Sequence, residues 1–135
     1  MATIRRFEDL EAWKKSRLLS QEVMRITSSG TFVRDYKLKD QIKAASGSAM
    51  DNIAEGFGRG GRLEFVNFLS IAKGSVDETK SQLYRALDCE HISKEKFEVA
   101  YILADDAGKT IQGLIDYLNS SPLKGTKFKD RTKGV

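Results

Sequence analysis

The sequence predicts an all-α fold, an antiparallel up-down-up-down four-helix bundle, from three observations. Apolar residues recur at spacings of three and four residues in four long segments. The only proline of the chain, Pro122, follows all four segments, so it interrupts none of the helices. No segment alternates apolar and polar residues as a half-buried strand would. Since the connections between the later segments are short, consecutive helices must run antiparallel.

The first predicted helix covers about residues 8–28 and ends at the cluster of small residues Ser28, Ser29 and Gly30. Its broad apolar stripe consists of Leu10, Trp13, Leu18, Leu19, Val23, Met24 and Ile26. The second predicted helix covers about residues 36–55, with Asp35 as its N-cap. Its apolar positions lie four, three, four and four residues apart, at Leu38, Ile42, Ala45, Ala49 and Ile53.

The third predicted helix covers about residues 62–89 and has a nearly unbroken three-four repeat of Phe65, Leu69, Ala72, Val76, Thr79, Leu83 and Leu87. The fourth begins after Ser93, a suitable N-cap, and stops before Pro122. Its apolar positions are Phe97, Ala100, Tyr101, Ala104, Ala107, Ile111, Leu114, Ile115 and Leu118.

Glycines between and within the second and third helices suggest how these helices meet. If the turn centres near Arg59 to Gly60, Gly47 and Gly74 lie at one level of the bundle, and we expect the two backbones to approach closely there. Residues 56–61 match the pattern G-x-G-x-x-G. The dinucleotide fingerprint requires a preceding strand, however, and here a helix precedes the glycines. They therefore indicate a helix C-cap and a turn.

Length and composition indicate one domain, the bundle of residues 1–123, followed by a flexible basic tail of residues 124–135. A single cysteine, Cys89, excludes an intrachain disulfide and is typical of a reducing compartment. No segment approaches the roughly 20 apolar residues that a membrane span needs. We therefore expect a cytoplasmic protein without membrane contact.

Charge is unevenly distributed along the chain. Residues 1–62 carry 12 basic and 8 acidic side chains, whereas residues 63–123 carry 6 basic and 10 acidic ones. The tail carries five basic side chains and one acidic one. Two interpretations fit this distribution: attraction to nucleic-acid phosphates, or complementary packing between neighbouring subunits.

The chain offers no recognisable set of catalytic, cofactor-binding or metal-ligating residues. A di-iron bundle needs two histidines, and His91 is the only one. Together Cys89 and His91 provide two metal ligands, whereas a closed zinc site needs four. His91 is also the only candidate base for a nucleophilic triad, and it belongs to a turn. These absences predict a non-enzymatic protein without cofactor or metal.

Two sets of polar residues remain as functional candidates. The first, which we call the polar seam, follows helical spacing on the second and third helices and could fix helix register or line a subunit contact: Gln41, Ser48, Asn52, Glu55, Ser75, Glu78 and Gln82. The second is a set of basic residues that could bind nucleic acid: Arg5, Arg6, Lys14, Arg17, Lys39, Lys43, Arg59 and Arg62. No aromatic residues are seen to interleave with these basic residues as a stacking platform would require.

Several sequence blocks resemble the bacterial four-helix bundle protein family. The blocks are FEDLEAW at residues 7–13, LKDQIKAA at 38–45, NIAEG at 52–56 and AKGS at 72–75. The family includes proteins encoded in intervening sequences of large-subunit ribosomal RNA genes and relatives of the accessory protein of diversity-generating retroelements. Members usually have proline in the segment that corresponds to residues 48–52 and Phe-Pro where this chain has Phe32-Val33. The second helix is therefore expected to be straighter here.

The resemblance implies an up-down bundle that assembles as a homopentamer. In the retroelement relatives it implies a basic surface that contacts nucleic acid and reverse transcriptase. We therefore expect a homo-oligomeric scaffold or accessory protein associated with RNA or DNA, with a reverse transcriptase or another protein as a further partner. The alternative is a protein–protein adaptor with no nucleic-acid affinity.

Overall fold

Four long helices make up the computed structural model, which describes residues 4–120. They are α1 (Glu11–Ile26), α2 (Tyr36–Gly58), α3 (Arg62–Asp88) and α4 (Lys94–Ser120). Short 3-10 helices, Phe7–Asp9 and Gly30–Arg34, precede α1 and α2. No strand occurs within residues 4–120, so the predicted all-α fold is confirmed. The proposed tail, residues 124–135, and the domain boundary at residue 123 lie outside the described residues.

Contacts between α2 and α3 show that these helices run antiparallel. The Ser75 hydroxyl donates a hydrogen bond to Ser48 Oγ at 3.0 Å. Farther from the turn, Arg85 Nη1 donates to Gln41 Oε1 at 3.3 Å. Because residue numbers fall along α2 while they rise along α3, the two helices form an antiparallel hairpin.

The contacts of α4 with α3 follow the same order. Arg62, at the start of α3, donates to the backbone carbonyl of Leu118 at 2.8 Å, while Lys80 lies 3.0 Å from Asp105. The remaining helix, α1, packs against both α2 and α4. The α2–α3 turn and the end of α4 therefore share one end of the bundle, which we call the α2–α3 end. The first turns of α1 lie beside the middle of α4, where Lys15 Nζ is 3.0 Å from Asp106.

The buried face of α1 is narrower than the predicted stripe. Its buried residues lie four, three, three, one and three positions apart, at Ala12, Ser16, Leu19, Glu22, Val23 and Ile26. Leu18 and Met24 were expected in the core, but their exposed fractions are 50% and 53%. Both lie off the helical face that packs on α2 and α4, because a face of period 3.6 includes Leu19 and Val23 and leaves these two outside.

Both predicted N-caps are confirmed by hydrogen bonds. Asp35 Oδ1 accepts from the backbone N–H of Leu38 at 3.2 Å, and Ser93 Oγ accepts from that of Lys96 at 3.2 Å. These bonds satisfy N–H groups that have no partner inside the first turn of a helix.

The glycine-rich segment differs from its predicted structure. The second helix does not stop near Glu55 but continues to Gly58, and the chain reverses at Gly60, whose φ is +84°. A helix therefore occupies the first half of the G-x-G-x-x-G match, so this segment is a helix end and turn and no dinucleotide loop.

The predicted close approach at Gly47 and Gly74 is wrong. A Cβ atom built on either glycine would meet no other atom within 4 Å. The close contact lies nearer the turn, where a Cβ on Gly56 would be 2.5 Å from the Cβ of Phe68. This contact and the Ser48–Ser75 bond shift the register of the hairpin by about one helical turn from the sequence-based estimate.

No helix within residues 4–120 combines the length and the apolar character needed to cross a membrane.

Candidate functional site

An open groove at the start of α1 brings three of the candidate basic residues together. Its volume is about 530 Å³, and its walls are formed by Arg6, Glu8, Trp13, Lys14, Arg17, Leu18 and Gln21. We call it the Trp13 groove. It follows one face of α1 from the segment before the helix as far as Gln21.

Local structure explains why the Trp13 ring lies in this groove. Phe7, in the 3-10 helix before α1, packs edge-to-face on Trp13 with ring centroids 5.1 Å apart. Arg17 follows Trp13 by one helical turn, and its guanidinium carbon lies 5.7 Å from the ring centroid. Residues four apart on a helix share a face, so this cation–π pair follows from the sequence spacing.

The ion pairs in the groove are weak. Arg6 Nε lies 3.7 Å from a carboxylate oxygen of Glu8 and of Asp9, and Lys14 Nζ lies 3.3 Å from Glu11. Exposed pairs of this kind contribute about 0–1 kcal/mol because water and salt screen them. The cations of Arg6 and Lys14 can therefore exchange these carboxylates for a phosphate at little cost.

Two of the other basic candidates also lie beside aromatic rings, contrary to the sequence-based interpretation. Lys39 Nζ lies 5.3 Å from the centroid of Tyr36, and the Arg59 guanidinium carbon lies 5.1 Å from that of Phe68. Arg59 and Phe68 are nine residues apart and belong to different helical segments, so the sequence did not indicate this pair. Together with Arg17 on Trp13, these contacts show that basic and aromatic side chains pair at three separate places in the described part of the chain.

Two candidates at the α2–α3 turn have partners within the chain. Arg59 Nη2 donates to Glu55 Oε2 at 2.8 Å, and both side chains are about half exposed. Arg62 bonds the carbonyl of Leu118, and its buried Nε has no hydrogen-bond partner among the described residues. Arg62 therefore joins the start of α3 to the end of α4. Of the remaining candidates, Arg5 and Lys43 are exposed.

Three members of the polar seam meet between α2 and α3. Ser48 Oγ accepts from Ser75 Oγ at 3.0 Å and from Asn52 Nδ2 at 2.9 Å. Asn52 Nδ2 also lies 2.8 Å from the backbone carbonyl of Ser48. This network lies within one chain, and its geometry suits the role of fixing helix register.

The other members of the seam do not join that network. Gln41 accepts from Arg85, Glu55 pairs with Arg59, and Gln82 Nε2 donates to Glu78 at 3.3 Å. Gln82 is buried, and its Oε1 has no partner among residues 4–120. Both carboxylates, Glu55 and Glu78, are exposed and bonded to residues of their own helix.

At the opposite end of the bundle, His91 connects two loops that are distant in sequence. Its Nε2 lies 2.9 Å from Asp35 Oδ2 and its Nδ1 lies 2.8 Å from Thr31 Oγ1. The imidazole also stacks on Phe32 at 5.1 Å. The hydrogen bond with His91, followed by the N–H of Leu38, lowers the pKa of Asp35 below its ordinary value.

The neighbours of His91 were not predicted from the sequence. Cys89 and His91 were expected to provide two metal ligands, whereas Asp35 lies beside both of them. The predicted topology could have indicated these neighbours. An up-down bundle places the α1–α2 and α3–α4 connections at one end, so polar residues in these two connections can meet.

Comparison with known proteins supports the fold independently. The model of the family described as "23S rRNA-intervening sequence protein" matches residues 8–113. A solved structure of a protein of unknown function from the S23 ribosomal protein family of Bacteroides thetaiotaomicron is similar, with a TM-score of 0.70. The two chains are 23% identical, and the match covers 77% of this chain and 97% of the other. No curated protein matches the chain.

Proposed function

The chain belongs to the 23S rRNA-intervening sequence protein family, and on this premise we propose that it is a non-enzymatic, homo-oligomeric accessory protein that binds RNA through the Trp13 groove. A cytoplasmic location is part of the proposal, because a lone cysteine suits a reducing compartment and RNA is available there.

The observation that carries the proposal is the position of Arg17 over Trp13 in a groove that Arg6 and Lys14 also line. An aromatic ring can stack on an unpaired base, and the adjacent guanidinium and ammonium groups can bind the flanking phosphates. Because proteins recognise RNA mostly at unpaired bases, a single-stranded loop or end is the substrate that this groove suits. Most hydrogen-bonding groups of the groove lie on long, exposed side chains, which do not fix the direction of a hydrogen bond to a base edge. We therefore expect little base preference.

Further basic candidates extend the surface. Arg59 and Arg62 lie at the α2–α3 turn, and Arg5 directly precedes Arg6 of the groove in sequence. In contrast, Lys39 and Lys43 follow the start of α2, towards the opposite end. We expect the residues near the groove to contribute most to affinity and these two lysines to contribute less.

The test is an anisotropy titration of a labelled single-stranded RNA with a variant that ends at residue 123, which removes the basic tail. Replacing Lys14 and Arg17 together by glutamine removes two cations from the groove. The matched control replaces Lys94 and Lys96 by glutamine. These two exposed residues lie in the first turn of α4, outside the groove, so the control removes the same charge elsewhere.

We expect the groove variant to bind more weakly than the control and its salt dependence to flatten by about 0.7 for each lost phosphate contact. Equal effects of the two variants would show that RNA binding depends on the net charge of the protein and not on the groove. Tighter binding of duplex DNA than of single-stranded RNA would contradict the substrate assignment. If the truncated protein binds neither at low salt, the protein is better described as a protein–protein adaptor.

A homo-oligomer is supported by an apolar face on α3. Leu63 and Ile71 lie on one side of this helix, with exposed fractions of 64% and 54%, beside the open surface at Gly74. Exposed apolar groups that share a helix face are typical of subunit contacts. The family resemblance implies five subunits, and the opposed charges of residues 1–62 and 63–123 suit a head-to-tail contact that closes a ring.

A further inference from the structure

Three side chains of different metal-ligating type meet at the end of the bundle opposite the α2–α3 turn. One ligand atom each from Asp35, Cys89 and His91 lies within 4.8 Å of the other two. The chain has no other cysteine and no other histidine. The thiol and the imidazole of the chain therefore lie together here, next to the carboxylate of Asp35, which precedes Cys89 by 54 residues in sequence.

We propose that Asp35, Cys89 and His91 form an open binding site for a Zn²⁺ ion, with water at the fourth position. Thiolate, imidazole and carboxylate are the ligands that zinc prefers, and three protein ligands with an open position are a common arrangement. Tetrahedral bonds of about 2.0–2.3 Å place ligands roughly 3.3–3.6 Å apart. Side-chain rotations that move the three ligand atoms by about 1 Å would therefore bring them within bonding distance of one ion.

The hydrogen bonds of His91 suit this role. Its Nε2 faces Asp35 Oδ2, so Zn²⁺ would replace the proton that these two atoms share. Its Nδ1 would then donate to Thr31 Oγ1, which lies 2.8 Å away. Histidines that bind metals commonly donate their second ring N–H in this way, and the bond holds the ring in the required orientation. The Cys89 thiol would also lose its proton to solvent on binding.

The backbone of the α3–α4 turn directs two of the ligands to the same place. Glu90 lies between Cys89 and His91 and has a φ of 59°, in the left-handed region that residues other than glycine seldom adopt. The N–H of His91 donates to the carbonyl of Ala86, and that of Glu90 to Leu87, so α3 ends in a Schellman motif. This motif folds Cys89 and His91 back toward Asp35.

Solvent can reach the site. Cys89 is exposed, whereas His91 and Asp35 are half-buried, so an ion can enter on the cysteine side. Bound Zn²⁺ would link the Gly30–Arg34 segment and the start of α2 to the α3–α4 turn. The site shares no residue with the Trp13 groove, so metal binding can be tested separately from RNA binding.

The test is a titration of the reduced full-length protein with Co²⁺, followed by Zn²⁺ in competition. Since Cys89 is the only thiol, a thiolate-to-cobalt charge-transfer absorption identifies it as a ligand. We expect one ion per chain, loss of the charge-transfer absorption when Zn²⁺ is added, and slower alkylation of Cys89 by iodoacetamide. We also expect the melting temperature of the protein to rise when Zn²⁺ is added.

Variants separate a built site from a lone thiol. Cys89→Ser should abolish the charge-transfer absorption, and Asp35→Asn, which keeps an N-cap, should weaken binding roughly tenfold or more, as should His91→Gln. Thr31→Val should weaken it roughly tenfold through the orientation of His91. The control is Glu90→Gln, which removes a neighbouring carboxylate outside the cluster and should leave affinity unchanged.

Two results would overturn the proposal. One is the absence of charge-transfer absorption at millimolar Co²⁺. The other is cobalt binding to Cys89 whose affinity is the same in the wild type and in Asp35→Asn, a variant whose folding is checked by circular dichroism. The second result would mean that the cysteine binds metal alone.

Discussion

Gly56 of α2 packs against Phe68 of α3 so closely that a Cβ atom on the glycine would lie 2.5 Å from the Cβ of Phe68. Real Cβ atoms do not approach that closely, and the atom it would meet is the base of a side chain, which cannot move without the backbone. The contact therefore determines how near the two helices come at the α2–α3 end, next to the turn that carries Arg59 and Arg62.

Gly56→Ala should destabilise the protein by about 1–3 kcal/mol, because the added methyl group forces α2 and α3 apart or strains Phe68. The matched control is Gly74→Ala, at a helical glycine with open space around it. This change should stabilise by up to about 1 kcal/mol, since alanine has the higher helix propensity. Urea unfolding measures both. Equal effects of the two substitutions would contradict the close contact.

Arg62→Met should also lower the free energy of unfolding. It removes the hydrogen bond from the guanidinium to the carbonyl of Leu118, which joins the start of α3 to the end of α4. A hydrogen bond from a charged group contributes about 1.5–3 kcal/mol when the groups are shielded from water. The exposed Arg5 is the control, and Arg5→Met should change stability by less than about 0.5 kcal/mol. Equal stability of the two variants would show that the bond to Leu118 contributes nothing.

Stability should decrease in acid through two carboxyl groups. The pKa of Asp35 is lowered mainly by the hydrogen bond with His91, and that of Asp105 by hydrogen bonds from Lys109 and Lys80. A carboxyl whose pKa is lower in the folded state stabilises the fold above its unfolded pKa. This contribution is lost as the pH falls from the ordinary value of 3.8 through the lower folded pKa.

The measurement is the free energy of unfolding against pH for the wild type and for Asp35→Asn combined with Asp105→Asn. The difference between the two curves should be constant near neutral pH and should narrow below pH 3.8. Asp116→Asn, at an exposed carboxylate that accepts a bond from Gln112, serves as the control. If the difference between the two curves stays constant throughout the acid range, Asp35 and Asp105 do not cause the loss of stability in acid.

Light scattering after size exclusion should give a mass several times 15.1 kDa, with five subunits expected from the resemblance. Ile71→Glu should shift the mass toward the monomer, because it introduces a charge into the proposed apolar contact on α3. Ile102→Glu, at an exposed apolar residue of α4, should leave the mass unchanged. A wild-type protein that is monomeric at tens of micromolar would contradict the assembly proposal.

Much of the fold could be predicted because apolar periodicity reports directly on the face that a helix buries. The spacing of Leu38, Ile42, Ala45, Ala49 and Ile53 identified five residues of α2 that are all buried, and both N-caps were identified from one residue each. Periodicity failed for Leu18 and Met24, since an apolar residue beside the core face looks the same in sequence as one within it.

The tertiary relationships were harder to predict. The hairpin register depends on whether Gly56 lies in the helix or in the turn, and a glycine-rich segment permits either. The neighbours of His91 depend on two loops meeting, so Asp35 and Thr31 were not associated with it. The basic residues were named as candidates from their charge, but the pairing of Arg59 with Phe68 depends on the packing of α2 against α3, so the sequence alone did not indicate it.

The most direct test of the central proposal is the fluorescence of Trp13 during titration with single-stranded RNA. It is the only tryptophan of the chain, so its emission reports on the groove alone. We predict quenching that saturates with the same dissociation constant as the anisotropy change and that weakens in parallel when Lys14 and Arg17 are replaced by glutamine. RNA binding that leaves the Trp13 emission unchanged would contradict the proposal that the groove is the binding site.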